Sequence, residues 1–470
     1  MSKIYILIIL LLLSPAYLLD NNNTHDWGDD FAQYLYQAKL IRNKAEPVKK
    51  IFNINEYGSA KRGVLFSGLL SILPNFSEIK PYKQLIFVFY LLSAVVVFMF
   101  FSFQFSSLLS LFLTLCIYFN YHVLDLKSTV MPEFIFMFLL YFVFVLEKEQ
   151  RLRSKIYIIP LILGLLTTVR TIGIAFFVAY ILTLLLQKEK KWTKKFIDTF
   201  KSILVFVMII FLINMLILPQ IHNEEYSFYK TVFILEINFN SLAFNLSSYY
   251  SGLQLLFEQE VPRYVNYVIF YSILFLVSIG IIIRFKSYFG FKEISLILYL
   301  LVLIVFPRNG ACIRYLIPLM PLIIYYLIEG GLYIFTLNKL VHKYSIHFLS
   351  IYLVVLIISN SKTIWISYHT SPNEYGPYNK EIMADLLKIK NITKPNESIA
   401  FQKPFTINLF CDRDSYYYNE LNIDSVNSKA DYILLAKNRN IDELYDLGLN
   451  NKTKGKDTLE LTNFYLIKAK

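Results

Sequence analysis

Charge and cysteine are scarce in this 470-residue sequence. Charged residues make up 17% against 56% hydrophobic, with a mean hydropathy of +0.49, which excludes an ordinary water-soluble domain. The three cysteines, Cys116, Cys312 and Cys411, share no metal-ligand spacing, which argues against a disulfide framework or a zinc motif. There is no Gly-rich phosphate loop, so nothing points to a nucleotide-sugar site. Internal repeats and low-complexity linkers are also missing. Positive charge is not lacking, since the net charge is +12, but Lys and Arg cluster in short loops between apolar runs. That is a sign of membrane topology and not of nucleic-acid binding.

What is present is a long series of apolar runs, ending near residue 360. Residues 4–19 would measure about 24 Å as a helix, short for a membrane crossing. Ser14-Pro15-Ala16 also suits a signal-peptidase site, so a cleaved signal peptide is an alternative. Both versions leave residues 20–83 outside the cytoplasm. Residues 85–119 are too long for one crossing and read as two helices turning near 103–107. Residues 120–132 return on the outside, and 134–146 go back in. Residues 156–187 read as two crossings with a polar break at Thr167-Thr168-Val169-Arg170-Thr171, and 203–218 exits. A second long outside segment, 219–263, shows little periodicity. Runs at 264–283, 294–306, 315–335 and 348–358 bring the total to about eleven crossings. The basic loops 147–155, 188–201, 284–292 and 338–347 all fall on one side, as the positive-inside rule requires. Lys44, Lys49, Lys50, Lys61 and Arg62 break that rule on the other side, which hints at an anionic partner there.

Composition changes at about residue 361, where Gly, Pro, Asn and charge rise. The expected organisation is therefore a membrane domain over 1–360 and a small extracytoplasmic α/β domain over 361–470. In the latter, 381–390 reads as an amphipathic helix and 398–401, 431–436 and 463–467 as strands.

Several constellations can carry chemistry. Asp29 and Asp30 follow the first apolar run. An acid at a bilayer centre costs about 2.5–3.5 kcal/mol on insertion scales, so the pair belongs just outside it. After Asp30, the residues Phe31, Leu35, Ala38 and Ile41 fall at helical spacing, as in a helix lying on the membrane surface. The pair could bind a cation or take a proton from a hydroxyl; equally, it could cap that helix. In Met131-Pro132-Glu133 a carboxylate opens an apolar run, where proline and an acid both suit a helix start. Arg170, flanked by apolar runs, either snorkels or holds a phosphate. Pro307 to Pro318 places Arg308 and Arg314 at the same outer edge, with Tyr315 beside the latter. Acids for an incoming hydroxyl and cations for a leaving phosphate thus share one face of the membrane. Trp27 reads either as an interfacial anchor or as a platform for a sugar. His25, His122, His222 and His369 all fall outside, scattered.

In order and topology these motifs resemble the membrane-embedded GT-C-type glycosyltransferases, the group that includes protein O-mannosyltransferases and bacterial lipid A aminoarabinose transferases. Gly28-Asp29-Asp30 follows the first span, and Pro132-Glu133 opens a later one. Leu166–Gly173 is similar to a Leu-Thr-Arg-x-x-Gly segment, and Arg314-Tyr315-Leu316-Ile317-Pro318 to an Arg-Tyr-Leu-x-Pro segment. The tail, with residues 398–404 and Asp412-Arg413-Asp414, is similar to the outside domain of many bacterial members. Ala32 stands where lipid A transferases carry an arginine, and Ser59-Ala60-Lys61-Arg62-Gly63 replaces their Lys-Pro-Pro segment.

The resemblance implies an α-helical polytopic protein of the plasma (inner) membrane, bacterial, with its site and tail outside the cytoplasm. It implies inverting transfer of a sugar from a polyprenyl-phosphate donor to a glycan, lipid or protein acceptor. Asp29 would be the base, with Asp30 and Glu133 as the other site acids, and Lys61, Arg170, Arg314 and Tyr315 would hold the donor phosphate. No cofactor is expected, although some relatives use a metal near this site. A polysaccharide polymerase or ligase is an alternative, but it would place arginines and not paired acids in its outer loops. A transporter is another, but its ionisable residues should sit mid-span near broken helices.

Overall fold

A computed structural model describes residues 2–20, 24–43, 63–149, 154–187, 190–217, 239–258, 262–287, 289–305, 312–336, 376–418, 429–437 and 457–469. The chain enters as an apolar helix, α1 (Ser2–Leu13), continued by a 3-10 turn over Ser14–Asp20. Ile9 and Leu13 are buried, and Lys127 donates to the Ala16 carbonyl at 2.9 Å. The Ser14-Pro15-Ala16 segment is thus built into the bundle. Next comes α2 (Asp29–Asn43), then α3 (Val64–Ser71), α4 (Lys80–Ser102), α5 (Ser107–Tyr118), α6 (Tyr121–Lys127) and α7 (Glu133–Lys148). The helices α8 (Lys155–Val169), α9 (Gly173–Leu186) and α10 (Trp192–Ile217) follow. Beyond them lie α11 (Phe239–Leu256), α12 (Arg263–Ser287), α13 (Phe291–Val305), α14 (Cys312–Leu316) and α15 (Met320–Thr336).

The helix pair expected over 85–119 is present, turning at Phe103 to Ser106, where the Ser106 side chain caps α5. The break expected at Arg170 separates α8 from α9. Among the described residues, four helices are long and apolar enough to cross a bilayer: Lys80–Ser102, Trp192–Ile217, Arg263–Ser287 and Ile313–Ile334. A fifth counts if Ser107–Tyr118 and Tyr121–Lys127, bent by 65°, form one span. The expected eleven are not reached by this measure. Helices of 14 to 16 residues, such as α7, α8 and α9, measure about 21–24 Å, short of the roughly 30 Å hydrocarbon layer. The last expected crossing, 348–358, lies outside the described residues, as does the domain boundary near 360. The segment 219–263, read as irregular, contains the helix α11; its Leu256 carbonyl accepts from Asn120 at 3.0 Å, and its Asn245 donates to Ile304 at 2.9 Å.

The tail carries α16 (Lys380–Ile392), β1 (Ser398–Phe401), α17 (Pro404–Cys411) and β2 (Asp414–Tyr417). β3 (Tyr432–Ala436), β4 (Thr458–Glu460) and β5 (Phe464–Lys468) complete a five-stranded sheet of order β2-β1-β3-β5-β4. β1 pairs parallel with β2 and β3, while β5 runs antiparallel to β3 and β4. One face of the sheet (Phe401, Leu434, Phe464, Leu466) joins the core that runs through the helical bundle. The docking contact is specific. Lys39 of α2 donates to Asp412 and, at 3.0 Å, to Leu409 O at the end of α17, and Lys390 of α16 grips the same carboxylate. Trp27 is 7% exposed and edge-on to Phe401 and Phe464, so it is a packing contact with the tail and neither of the roles expected for it. The result is an α-helical membrane-type bundle with a small C-terminal mixed α/β unit seated on the helix that begins with the acid pair.

Candidate active site

Four chain segments meet at the start of α2. Asp29 and Asp30 are the first two residues of that helix; the Asp29 side chain lies outside the described atoms. Glu133 opens α7 immediately after Pro132, as the motif suggests, and is completely buried. Arg170 ends α8 in extended backbone (φ −148°, ψ 129°), with its N–H still donating to Leu166 at 3.0 Å. The tight turn into α9 explains Gly173: a Cβ there would meet Thr167 N at 2.7 Å. Arg314 and Tyr315 lie on α14, which passes through a 3-10 turn at Ile317–Leu319 into α15. Two tyrosine hydroxyls fasten that irregular stretch. Tyr299 donates to Tyr315 O and Tyr141 to Pro318 O, each at 2.8 Å.

The side chains then interlock. Arg314 Nη2 lies 2.6 Å from Asp30 Oδ2, and its Nε is 3.7 Å from Glu133 Oε1. Arg170 Nη1 approaches the same Glu133 oxygen to 2.9 Å. The Tyr315 ring lies 4.5 Å from the Arg170 guanidinium and 5.4 Å from that of Arg314, within cation–π range of both. Arg314 Nη1 also points at Met131 Sδ, 3.8 Å away. Arg170 therefore does not snorkel; its side chain is 9% exposed and faces inward.

The ion pairs leave capacity unused. Among the described residues neither Glu133 oxygen accepts a hydrogen bond, and Arg170 Nη1 and Arg314 Nε donate none. Buried polar groups are nearly always hydrogen-bonded, and here four such atoms stand together. Tyr34, one turn along α2 from Asp30, is buried beside them; burial pushes its phenol up to about 12 against the pull of Arg170, so it stays a neutral O–H.

The residues expected at the site from sequence divide as follows. Asp30, Glu133, Arg170, Arg314 and Tyr315 come together. Lys61 lies outside the described residues. Gly63, the first described residue after it, sits at φ +57° against Val169 O and the Tyr34 ring, where a Cβ would come within 2.9 Å of that carbonyl. Tyr34 and His25 belong to the site region although their sequence carries no signal for it beyond nearness to the acids. Among the described residues no group of three or more His, Cys, Asp or Glu is placed to hold a metal ion. His222 and His369 are not among them.

No family model matches the sequence, and no curated protein matches it. Solved structures do. ArnT from Cupriavidus metallidurans, bound to undecaprenyl phosphate, superposes with a TM-score of 0.58 at 10% identity over 100% of this chain and 99% of its own. The Archaeoglobus fulgidus oligosaccharyltransferase in complex with Zn and sulfate gives 0.57 at 13% identity, over 99% of this chain and 73% of that one. The AglB oligosaccharyltransferase of the same organism, with an inhibitory peptide and a dolichol-phosphate, gives 0.53 at 13% identity over 100% and 74%. Identities this low speak for the fold alone, and they do so over the whole length: the chain has the GT-C fold of these membrane glycosyltransferases.

Proposed function

We propose that this protein moves a sugar from a polyprenyl phosphate to an acceptor hydroxyl of a glycan, lipid or protein, with inversion, at the outer edge of a bacterial plasma membrane. The observation that carries the reading is the convergence of Arg170 and Arg314, the latter also held by Asp30, on a buried Glu133 whose oxygens accept no hydrogen bond among the described residues. The occupant that best suits two half-used guanidiniums at a bilayer edge is a phosphate, since the planar fork matches its oxygens. Neighbours of the same fold have been solved with undecaprenyl phosphate and dolichol-phosphate, which supports the same class of donor here.

In this reading the acceptor oxygen attacks the anomeric carbon while its proton passes to a carboxylate. The bond from that carbon to the phosphate oxygen breaks, and the electron pair leaves with the phosphate. Arg314, Arg170 and Lys61, two residues before Gly63, meet the charge that develops on it, and Tyr315 holds the two guanidiniums in place. Glu133 keeps the cations together until the phosphate arrives. Asp30 is already engaged by Arg314, which lowers its value as a base. Asp29, about 100° around the helix, is left for the acceptor. Direct displacement gives inversion, and the cations supply the charge without a cofactor.

The test is transfer from polyprenyl-phosphate sugars by the purified protein in proteoliposomes. Asp29→Asn keeps the shape and removes the basicity, so transfer falls at least about a hundredfold while donor binding is nearly unchanged. An active Asp29→Asn with a dead Asp30→Asn exchanges the two roles. Full activity in both removes the carboxylate mechanism. The orientation is tested separately: cysteines introduced near Lys191 and near Asn391 label from opposite sides of the membrane, and labelling from one side overturns the outward placement.

A further inference from the structure

His25 is buried to 1% exposure and its ring stacks on Phe31 at 3.9 Å, one residue after Asp30. Both ring nitrogens are used. The Val130 N–H, in a residue with no exposed surface, donates to His25 Nε2 at 3.1 Å. A backbone N–H can only donate, so Nε2 must carry its lone pair there, and the proton of the neutral ring sits on Nδ1. That nitrogen faces Asp26, 2.8 Å from Oδ1 and 3.0 Å from the carbonyl. Asp26 Oδ1 in turn accepts the Gly28 N–H at 3.1 Å, forming the turn that leads into Asp29 and Asp30. A hydrogen-bond chain thus runs from Val130 through His25 and Asp26 to Gly28. One end lies three residues before Glu133, and the other lies one residue before the acid pair. Arg314 bridges the same two segments from the far side, touching Asp30 and Met131.

We propose that His25 is the positioning residue of this site. It fixes the start of the acid-bearing helix against the segment that carries Glu133, and so sets the distance between the proton acceptor and the phosphate-holding cations. The proposal rests on the glycosyl-transfer reading of the site. His25 does not touch the reacting atoms. Its imidazole is the acceptor that a buried Val130 N–H requires, and an orphaned N–H at that point would release the turn from the bundle.

Two substitutions separate positioning from packing. His25→Phe keeps the ring and its stacking on Phe31 but removes the acceptor. His25→Gln keeps an acceptor at the same reach. Hydrogen–deuterium exchange on the peptide containing Val130 reads the bond without reference to catalysis. Transfer is measured per folded molecule, with the donor KM determined separately. His25→Phe is expected to expose the Val130 amide to exchange and to lower kcat by about 10–100-fold, the cost of a misplacement near 1 Å, with the donor KM nearly unchanged. His25→Gln restores both protection and most of the turnover. Unchanged exchange in His25→Phe overturns the bond. Faster exchange with wild-type kcat, or a Gln variant no better than Phe, overturns the positioning role. Wild-type turnover in both Asp29→Asn and Arg314→Ala overturns the reading of the site itself, a result that leaves the exchange measurement standing.

Discussion

Two charged clusters lie along the same apolar stretch, Ile313–Ile334, and each is arranged around one tyrosine. At Tyr315 the ring is flanked by Arg170 and Arg314, with Glu133 and Asp30 as the acids. Ten residues on, roughly 15 Å along a helix, the Tyr325 ring lies 3.9 Å from Lys292 Nζ and 5.5 Å from the Arg284 guanidinium. Glu329 and Glu293 are its acids. The difference is in how the acids are used. Arg284 pairs with Glu329, and Glu293 accepts from the Gly290 N–H at 3.1 Å and the Tyr326 hydroxyl at 3.2 Å. Glu133 instead stands between two guanidiniums and accepts no hydrogen bond from either. The second cluster joins residues 284 to 329, close in sequence, and ties neighbouring helices together. The first draws on residues 30, 133, 170 and 314, on four separate segments, and leaves the oxygens of its central acid without a hydrogen bond among the described residues.

The sharpest way to break that comparison is to remove one cation from each cluster. Arg314→Ala should lower transfer by about 10²–10³-fold, the usual loss when one donor to a developing oxyanion is deleted. A folded Arg314→Ala protein that binds donor lipid as tightly as wild type takes Arg314 out of the phosphate site. Glu133→Gln keeps the shape and leaves two guanidiniums less neutralised; transfer should fall by a smaller factor than in Asp29→Asn, and an equal loss would assign Glu133 to the chemistry.

Arg284→Met should behave differently. It strands Glu329 among apolar neighbours, so the melting temperature drops by several degrees while turnover per folded molecule stays within about twofold. Replacing Glu329 by Met as well should recover much of that loss. A fall in turnover at constant stability would make the second cluster functional too.

The smallest effect concerns docking of the tail. Burial raises the Asp412 carboxyl, but hydrogen bonds from Lys39 and Lys390 outweigh it, and its pKa ends below the usual carboxylate range. The stabilisation is therefore fully present above the unfolded value, about pH 3.9, and is lost as pH falls through the lowered one. Protease sensitivity of the tail should be flat from pH 8 to about pH 5 and rise below about pH 4. Asp412→Asn should show the raised sensitivity at pH 7, because asparagine tolerates the left-handed backbone at φ +54° and only the charge is removed.

Much of the fold was legible because the bilayer imposes a coarse code. Uncharged runs become helices, and breaks such as Phe103 to Ser106 and Arg170 to Ile172 fall where polar or small residues interrupt them. The strands at 398–401, 432–436 and 464–468 were visible as short β-branched or aromatic runs. The β2 strand at 414–417 went unread although its tyrosines suit a sheet, and the three-residue β4 carries no pattern of its own. The helix α11 was missed because its polar face of Asn and Ser dilutes the apolar period, and its Asn245 proves to be hydrogen-bonded to another segment.

The site divides in the same way. Sequence alone determined which residues can be there: an acid pair after the first apolar run, a Pro-Glu helix start, and arginines at the ends of apolar segments, all on one edge because charge is excluded from hydrocarbon. Their partners were decided only by the tertiary structure. That Arg314 takes Asp30, that Arg170 turns inward to Glu133, and that His25 links Val130 to the turn before Asp29 depend on segments tens to hundreds of residues apart arriving at one point. Ion pairs and hydrogen bonds act over a few ångströms, and the local sequence sets no distance of that kind.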